Sequence, residues 1–276
     1  FYSVLVAIPI VWMFLSSTKT VRELFTFPFA LPAEPQWSNF AKAWQSGISQ
    51  YLWNSVFVTT VSVILIVLFS ALAAYALARR SFPHGWAAGM LLGFLLLRLV
   101  PPVVYLPAYL LLLRQLGLID TILALVLVNA TINLPLAAII LTGAFREILR
   151  DIEEASRVDG VGRWGSFARI CVPLAAPALA ASWLLCLAFI WNEWMYASAI
   201  GYVEAKLFPV LIQATGAGGG VNFGAATTRA LAATAAIADT WAATRRWAAG
   251  ASPVAPHPGG FERSERGPPR SPTAGL

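Results

Sequence analysis

The sequence is poor in charge, and this shortage narrows the class of protein. Of its 276 residues, 12% are charged and 58% are hydrophobic, and the mean hydropathy is +0.70. A soluble globular domain carries about twice that share of charged residues. Uncharged runs long enough to cross a bilayer, each of about 20 residues, recur along the chain. The composition therefore excludes an ordinary soluble domain and predicts an all-α polytopic membrane protein.

Cysteine, histidine and lysine are scarce as well, and each scarcity excludes a kind of chemistry. The only cysteines, Cys171 and Cys186, would lie about 22 Å apart on one predicted helix, too far for a disulfide. The two histidines have no ligand-like neighbours, so we expect no metal site. We also expect no cofactor. None of the three lysines lies in a glycine-rich loop that binds the phosphates of ATP. If ATP drives this protein, a separate subunit must therefore bind and hydrolyse it.

The formal net charge of +6 comes from arginines scattered between the hydrophobic runs. This distribution favours basic loops beside a membrane and gives no reason to expect nucleic acid as a partner. On the predicted span boundaries, seven Lys and Arg residues lie on the cytosolic side and five on the external side. Because this bias is weak, the orientation depends mainly on a central polar loop that must meet a cytosolic partner.

The hydrophobic runs predict at least five membrane spans. The first run, residues 1–15, has no preceding Met, and we interpret it as the end of a helix whose start is missing. The next four predicted spans occupy residues 52–77, 86–113, 120–144 and 174–200. Pro101, Pro102 and Pro107 forbid a regular helix in the third span, which is therefore expected to be broken.

Two polar features of the predicted spans need an explanation. Asn54-Ser55 opens the second span, and a helix N-cap is its simplest interpretation. Arg98 lies among leucines in the third span, where a charge is costly in lipid. We expect Arg98 to face the bundle interior or water.

The most charged stretch, residues 146–177, lies between the predicted fourth and fifth spans. Before Gly160, apolar or small residues follow a helical period, and charged residues fill the other side. The apolar positions are Ile148, Ile152, Ala155 and Val158, and the charged positions are Glu147, Arg150, Asp151, Glu154 and Arg157. Gly160 can adopt a positive φ and end that helix. A second short amphipathic piece follows, and Pro173 marks the entry to the next span. This pattern predicts a helix–turn–helix on the membrane face, with a charged surface turned toward a partner.

The spacing of this stretch resembles the EAA loop of ATP-binding-cassette importer permeases. The family pattern is Glu-Ala-Ala, three residues, Gly, nine residues, then Ile-x-Leu-Pro. Here Glu154-Ala155-Ser156 is followed by Gly160 and by Ile170-Cys171-Val172-Pro173 at the same spacing. Ser156 replaces the second Ala and Val172 replaces the Leu. The resemblance assigns coupling to an ATPase subunit to Glu154, Ala155, Ser156, Asp159, Gly160, Arg163, Ile170 and Pro173.

The resemblance covers about residues 1–234 and implies a six-span importer permease fold, with the coupling helix between spans 4 and 5. It divides the chain into a first span with an external loop (1–51), a permease core (52–234) with the coupling loop (145–173), and an atypical tail (235–276). The implied partners are cytosolic ATP-binding subunits, a homologous second permease subunit, an external solute-binding protein and the lipid bilayer. Movement of the coupling helix would switch the pathway by alternating access in the cell inner membrane.

The stretch Trp191-Asn192-Glu193-Trp194 is similar to one found in carbohydrate importers of this family. A neutral polyhydroxy ligand is bound by amides, carboxylates and aromatic faces. The candidate pathway residues are accordingly Asn129, Asn133, Trp191, Asn192 and Glu193. A structural role in helix packing is the alternative for each of them. The resemblance, and not these residues by themselves, implies a sugar or related polyol as the substrate.

Two other classes of function remain open at this stage. A secondary transporter or channel would explain Arg98, Asn129 and Glu193 equally well, but it has no need of the central loop's spacing. A membrane-embedded enzyme would need paired acids, a histidine cluster or a nucleophile–base arrangement, and none is recognisable. Co-purification of an ATPase would separate the importer from both alternatives.

The end of the chain departs from the family pattern. Residues from Phe223 begin as a sixth span, but Asp239, Arg245 and Arg246 interrupt it. Each charge could cost about 2.5–3.5 kcal/mol at a span centre. The composition of residues 249–276 is typical of disorder. Our hypothesis is that a frameshift near residues 234–239 replaced the sixth span, the alternative being a natural basic tail. Translation of the other two DNA frames would test it, by revealing or lacking an apolar run of about 15 residues.

Overall fold

The computed structural model describes residues 2–27, 29–80, 82, 85–217 and Ala242. The first helices are α1 (Tyr2–Ser17), α2 (Val21–Thr26), α3 (Ser38–Ala43), a π-helical turn (Trp44–Ile48) and α4 (Ser49–Arg79). They are followed by α5 (Trp86–Leu99), a 3₁₀ turn (Pro102–Val104), α6 (Leu106–Gln115) and α7 (Ile122–Glu147). The remaining elements are α8 (Arg150–Val158), α9 (Arg163–Ser166), a π-helical turn (Phe167–Cys171), α10 (Val172–Leu174), α11 (Ala176–Trp191), α12 (Met195–Ile200) and α13 (Phe208–Ala217). No strand occurs in these residues, which confirms the predicted all-α fold.

The centre of the fold is the pair formed by α4 and α7, the most extensive helix pair in the described part of the chain. Small side chains on α4 let the two backbones approach closely. The hydroxyl of Ser62 donates to the Val126 carbonyl at 3.3 Å, and that of Ser70 donates to the Leu134 carbonyl at 3.0 Å. Buried apolar clusters lie along the same pair and extend to α11 and α12. The two helices therefore form one packed unit at the centre of the fold.

Two described helices, α4 and α7, are each long and apolar enough to cross a membrane. Two bent pairs raise this number to four if each pair is one span. The first pair joins α5 to the segment Pro102–Gln115 with a bend of 89°. This bend confirms the predicted break in the third span, because Pro102 lacks the N–H that would continue α5.

The predicted fifth span, residues 174–200, is not one continuous helix. The segment Arg163–Leu174 meets α11 at a bend of 73°, and the chain breaks again between α11 and α12. Pro177 lies in the first turn of α11, where its missing N–H costs no hydrogen bond. Cys171 and Cys186 are thus on two sides of a bend and not on one straight helix, and both are free and buried. The predicted sixth span and the tail lie outside the described residues, apart from Ala242.

Candidate functional site

Gly160 ends α8 in the way that the sequence predicted. Its φ is 81°, its N–H donates to the Arg157 carbonyl at 3.1 Å, and the Val161 N–H donates to the Ser156 carbonyl at 3.0 Å. These two bonds form a Schellman motif, which closes a helix through a left-handed residue. Because a Cβ is strained at this φ, and a β-branched side chain most of all, glycine is the fitting residue here.

The buried face of α8 differs from the predicted one. Glu153 and Ser156 are the buried residues of this helix, whereas Ile152 and Val158 are 41% and 88% exposed. The helical period of apolar residues therefore predicted the wrong face. The outward surface is also not purely charged, because it includes these two apolar side chains.

Glu153 is buried because two side chains of α4 bind its carboxylate. The Tyr75 hydroxyl donates to Oε2 at 2.9 Å, and the Arg79 Nε donates to Oε1 in a salt bridge whose side chains are 11% and 2% exposed. A further guanidinium nitrogen of Arg79 donates to the Ile148 carbonyl at 3.0 Å. A buried carboxylate needs such partners to offset its lost hydration. We call Tyr75, Arg79 and Glu153 the Glu153 anchor, and it joins α8 to the end of α4.

The anchor keeps Glu153 ionised. Burial raises the pKa of this carboxyl, but hydrogen bonds from Cys171, Tyr75 and Arg79 and the Arg79 charge together lower the pKa below its ordinary value. A group with a lowered folded pKa stabilises the fold fully above its unfolded pKa. That contribution is lost only as the pH falls through the folded pKa. The junction of α8 with α4 is therefore insensitive to pH near neutrality.

Ser156, which replaces the second Ala of the family pattern, connects α8 to α9. Its hydroxyl donates to the Glu153 carbonyl at 2.8 Å and lies 2.5 Å from the Ser166 hydroxyl. A hydroxyl in place of a methyl group therefore adds a hydrogen bond across the turn at Gly160. The exposed members of the predicted coupling set are Glu154, Ala155, Asp159, Gly160, Arg163 and Pro173, with Ile170 half-buried and Ser156 buried.

The predicted pathway residues on α7 donate their side-chain amide N–H groups to backbone carbonyls of the same helix. Asn129 and Asn133 are buried, and each side-chain amide donates to the carbonyl four residues earlier, at 2.9 Å and 3.0 Å. The amide oxygen of Asn133 remains available and lies 3.5 Å from a guanidinium nitrogen of Arg98. The structure thus brings one predicted pathway residue, Asn133, together with Arg98.

The predicted pathway residues at the end of α11 have local partners. Trp191 is buried in a cluster with Ile48 and Phe208, and Asn192 is exposed and donates to the Ala188 carbonyl. The Glu193 carboxylate accepts from the backbone N–H groups of Tyr196 at 2.8 Å and Ala197 at 3.2 Å. These two bonds satisfy N–H groups at the start of α12, which is the role of a helix cap.

A second polar junction, at Asp120 just before the start of α7, was not predicted from the sequence. Asp120 has a φ of 59°, the one positive φ of a non-glycine residue in the described chain. Its carboxylate accepts from the backbone N–H groups of the 202–205 segment, at distances from 2.7 Å to 3.3 Å. Burial opposes ionisation, but these hydrogen bonds outweigh it and lower the pKa of Asp120.

The interpretation of Asn54-Ser55 as a helix N-cap is wrong, because α4 begins at Ser49. The Asn54 amide donates to the carbonyls of Glu204 and Lys206, and the Ser55 hydroxyl accepts from the Phe208 N–H at 2.7 Å. Together with Asp120, these residues attach the connection between α12 and α13 to the starts of α4 and α7. No local sequence signal indicates contacts between residues so far apart in the chain.

Apolar helices packed around α4 and α7, both long enough to cross a membrane, with a polar loop anchored to α4, define the class of a polytopic membrane protein. The family model for the binding-protein-dependent transport system inner membrane component matches residues 66–242. The chain belongs to this family, and it is an ABC transporter permease subunit, a transport component and not an enzyme. It is accordingly a multi-pass membrane protein, and the alternatives of a secondary carrier and of an enzyme are set aside.

Similarities to individual proteins agree with this assignment. The probable ABC transporter permease protein YurM of Bacillus subtilis is 36% identical over 197 residues, which cover 71% of this chain and 65% of YurM. The diacetylchitobiose uptake system permease protein NgcG of Streptomyces coelicolor is 32% identical over 208 residues, 74% of this chain and 68% of NgcG. The alignments thus span about two thirds of each relative. A crystal structure of a bacterial ABC transporter involved in import of the acidic polysaccharide alginate contains a similar fold. Its TM-score is 0.71 at 20% identity, over 89% of this chain and 92% of that one.

Proposed function

We propose that this chain is the permease subunit of an ATP-driven importer that passes a sugar or related polyol across the cell inner membrane by alternating access. The observation that carries the proposal is the coupling loop, which presents Glu154, Asp159 and Arg163 outward while Glu153 holds it to α4. The uptake of diacetylchitobiose named for NgcG supports a carbohydrate as the substrate class.

The surface of the coupling loop supports the partners that we propose. Cytosolic ATP-binding subunits would contact both its charged residues and its exposed apolar side chains. The apolar side chains are Leu149 (67% exposed), Ile152 (41%), Val158 (88%) and Trp164 (74%). A docking surface that combines apolar anchors with charged residues is usual for protein interfaces. A homologous second permease subunit would complete the pathway, and an external solute-binding protein would deliver the substrate.

The proposed mechanism uses the contacts of the Glu153 anchor. When the ATP-binding subunits close, they would push α8, and the buried ion pair would carry this movement to α4. Because α4 and α7 pack together along buried clusters, the displacement reaches the pathway residues that we propose on α7, Asn129 and Asn133. Trp191, Asn192 and Glu193 would act at the α11–α12 break, which lies beside the same bundle.

Reconstitution tests this function directly. The chain is expressed with the ATPase, sister permease and binding-protein genes of its own locus, purified by a tag on this chain, and placed in proteoliposomes. We expect the ATPase to co-purify and labelled sugar to enter only when ATP and the loaded binding protein are both supplied. Uptake driven by an ion gradient without any ATPase would contradict the proposal and support a secondary carrier.

Gly160→Val is expected to uncouple transport from ATP hydrolysis while leaving expression intact. The left-handed backbone costs an L-residue about 1–2 kcal/mol, and 1.4 kcal/mol is tenfold in an equilibrium. We therefore expect uptake per ATP hydrolysed to fall by about tenfold or more. Uptake and ATPase activity are measured on the same proteoliposomes.

Gly162→Val is the matched control for this change. A Cβ added at either glycine meets no atom within 4 Å, but Gly162 has a φ of −65° and a ψ of 165°, which valine adopts readily. The control should therefore couple normally. Wild-type uptake by Gly160→Val would show that the turn tolerates a side chain and that its conformation does not matter for coupling.

Glu193→Gln is expected to alter transport without unfolding the protein. The amide retains an oxygen that can cap α12 but removes the charge that we propose to face the pathway or the sister subunit. The melting temperature should change little, because a weakened cap costs about 1 kcal/mol. Normal uptake by Glu193→Leu, measured in the same vesicles, would mean that the carboxylate acts only as a cap.

A further inference from the structure

Arg98 lies at the point where three helices meet. It is in the last turn of α5, just before the chain breaks at Pro101 and Pro102. Its guanidinium carbon is 4.6 Å from the ring centroid of Phe189 on α11, and Nη1 is 3.5 Å from the Asn133 amide oxygen on α7. Asn133 lies about 16 Å along a helix of about 39 Å, so the guanidinium is at a depth where a charge is costly in lipid.

The charge of Arg98 has no acidic partner among the residues that the structure describes. Both ion pairs found there involve Glu153, one with Arg79 and the other with Arg157. Within the same residues, the long contact with Asn133 is the one hydrogen bond that the guanidinium makes. Arginine stays ionised and offers five N–H donors in a planar fork. Most of these donors are thus available to a ligand.

A cavity of about 120 Å³, lined in part by Arg98, opens at the break between α5 and α6. Its polar wall includes Tyr109 and Thr131, whose hydroxyls lie 2.9 Å apart. Pro135 also lines the cavity, and because proline has no N–H, the Thr131 carbonyl lacks its helical partner. A water occupies about 30 Å³ of liquid, whereas ligand pockets start near 300 Å³, so this space suits a substituent and not a whole sugar.

We infer that Arg98 and this cavity form a subsite for an anionic substituent, the carboxylate of a uronic acid or a group of like charge, on the transported sugar. Transporters build substrate sites near the bilayer midplane, where helices are interrupted. A guanidinium pairs with a carboxylate through two parallel hydrogen bonds, each roughly twice as strong as a bond between neutral groups. The inference rests on the proposed function and narrows its substrate class from polyols in general to acidic sugars.

The test compares two disaccharides of the same linkage and size, digalacturonate and neutral galactobiose. Binding of each is measured calorimetrically on the purified permease–ATPase complex in detergent, without the binding protein. We expect the wild-type complex to bind digalacturonate about tenfold more tightly, the usual effect of a hydrogen-bonded charge. Arg98→Gln should lose this preference and Arg98→Lys should keep part of it. Arg114→Gln removes an exposed charge at the end of α6 and should behave as wild type.

Equal affinity for the two sugars in the wild-type complex, or no binding of digalacturonate, would overturn the inference. A second outcome would also overturn it: the Arg98→Gln complex dissociates, and the wild-type complex shows no preference between the two sugars. Arg98 would then pair with a carboxylate of the sister permease and not with a substrate. Uptake in proteoliposomes separates these outcomes from failure of the proposed function. ATP-driven uptake of digalacturonate that Arg98→Gln leaves unchanged would retain the importer and reject the subsite. Absence of ATP-driven uptake of any sugar would reject the importer itself.

Discussion

Glu153→Ala is expected to abolish transport while ATP hydrolysis by the assembled complex continues. The substitution leaves the Arg79 guanidinium, which is 11% exposed, without its carboxylate. Removing one partner of a buried ion pair costs about 3–5 kcal/mol, enough to free α8 from α4. Movement of α8, which we propose as the coupling helix, would then no longer reach the spans. The measurement is the ratio of sugar taken up to ATP hydrolysed in proteoliposomes.

Asp151→Ala is the control, since Asp151 is an exposed acid on the same helix and its loss changes the charge equally. The charge-swapped pair Glu153→Arg with Arg79→Glu separates coupling from folding, because it restores opposite charges across the junction. We expect the swap to recover part of the uptake ratio that either single change loses. A wild-type ratio in Glu153→Ala would refute the anchor as the mechanical link.

Asp120→Ala is expected to lower the free energy of unfolding by about 3 kcal/mol. Part of this loss comes from the charge-assisted hydrogen bonds to the 202–205 segment. Their contribution to stability is reduced because the carboxylate is near solvent. The other part is the left-handed backbone at φ 59°, which alanine adopts at a cost of about 1–2 kcal/mol. Thermal unfolding of the purified chain in detergent measures the change.

Two further variants divide the effect of Asp120 into its causes. Asp120→Gly keeps the backbone relaxed and removes the carboxylate, whereas Asp120→Asn keeps one acceptor oxygen and tolerates positive φ. We expect stability to fall in the order wild type, Asn, Gly, Ala. Because the pKa of Asp120 is lowered, the wild-type advantage should persist above the ordinary pKa of 3.8 and disappear as the pH falls through the folded value. Equal stability of Gly and Ala would contradict the argument from backbone strain.

The features that the sequence predicted well have local causes. Gly160 was predicted to turn because glycine, unlike other residues, adopts a positive φ freely, and it does so at 81°. The break in the third span follows from Pro101 and Pro102, whose effect on a helix does not depend on the rest of the fold. The all-helical architecture follows in the same way from the length of the apolar runs.

The features that the sequence did not predict depend on contacts between distant residues. Glu153 is buried only because Tyr75 and Arg79, 78 and 74 positions earlier, reach it, so a helical period of apolar residues points to the wrong face. Asn54 binds carbonyl groups about 150 positions later. Helix-capping patterns describe only contacts between residues a few positions apart, so they could not predict this one. The roles of Asn129, Asn133, Trp191, Asn192 and Glu193 in a pathway stay predictions, because the intrahelical and capping bonds that they make are compatible with either role.

The exposed Val158 and Trp164 side chains also have a consequence for the life of the chain before assembly. In the proposed orientation, a copy without its ATP-binding subunits would present these apolar groups to the cytosol. Cellular chaperones and proteases continuously remove proteins that are incompletely folded. Bare apolar surface of this kind also favours aggregation. Under the proposed function, the abundance of this chain would then follow the supply of the ATP-binding subunits, and copies made in excess would be short-lived.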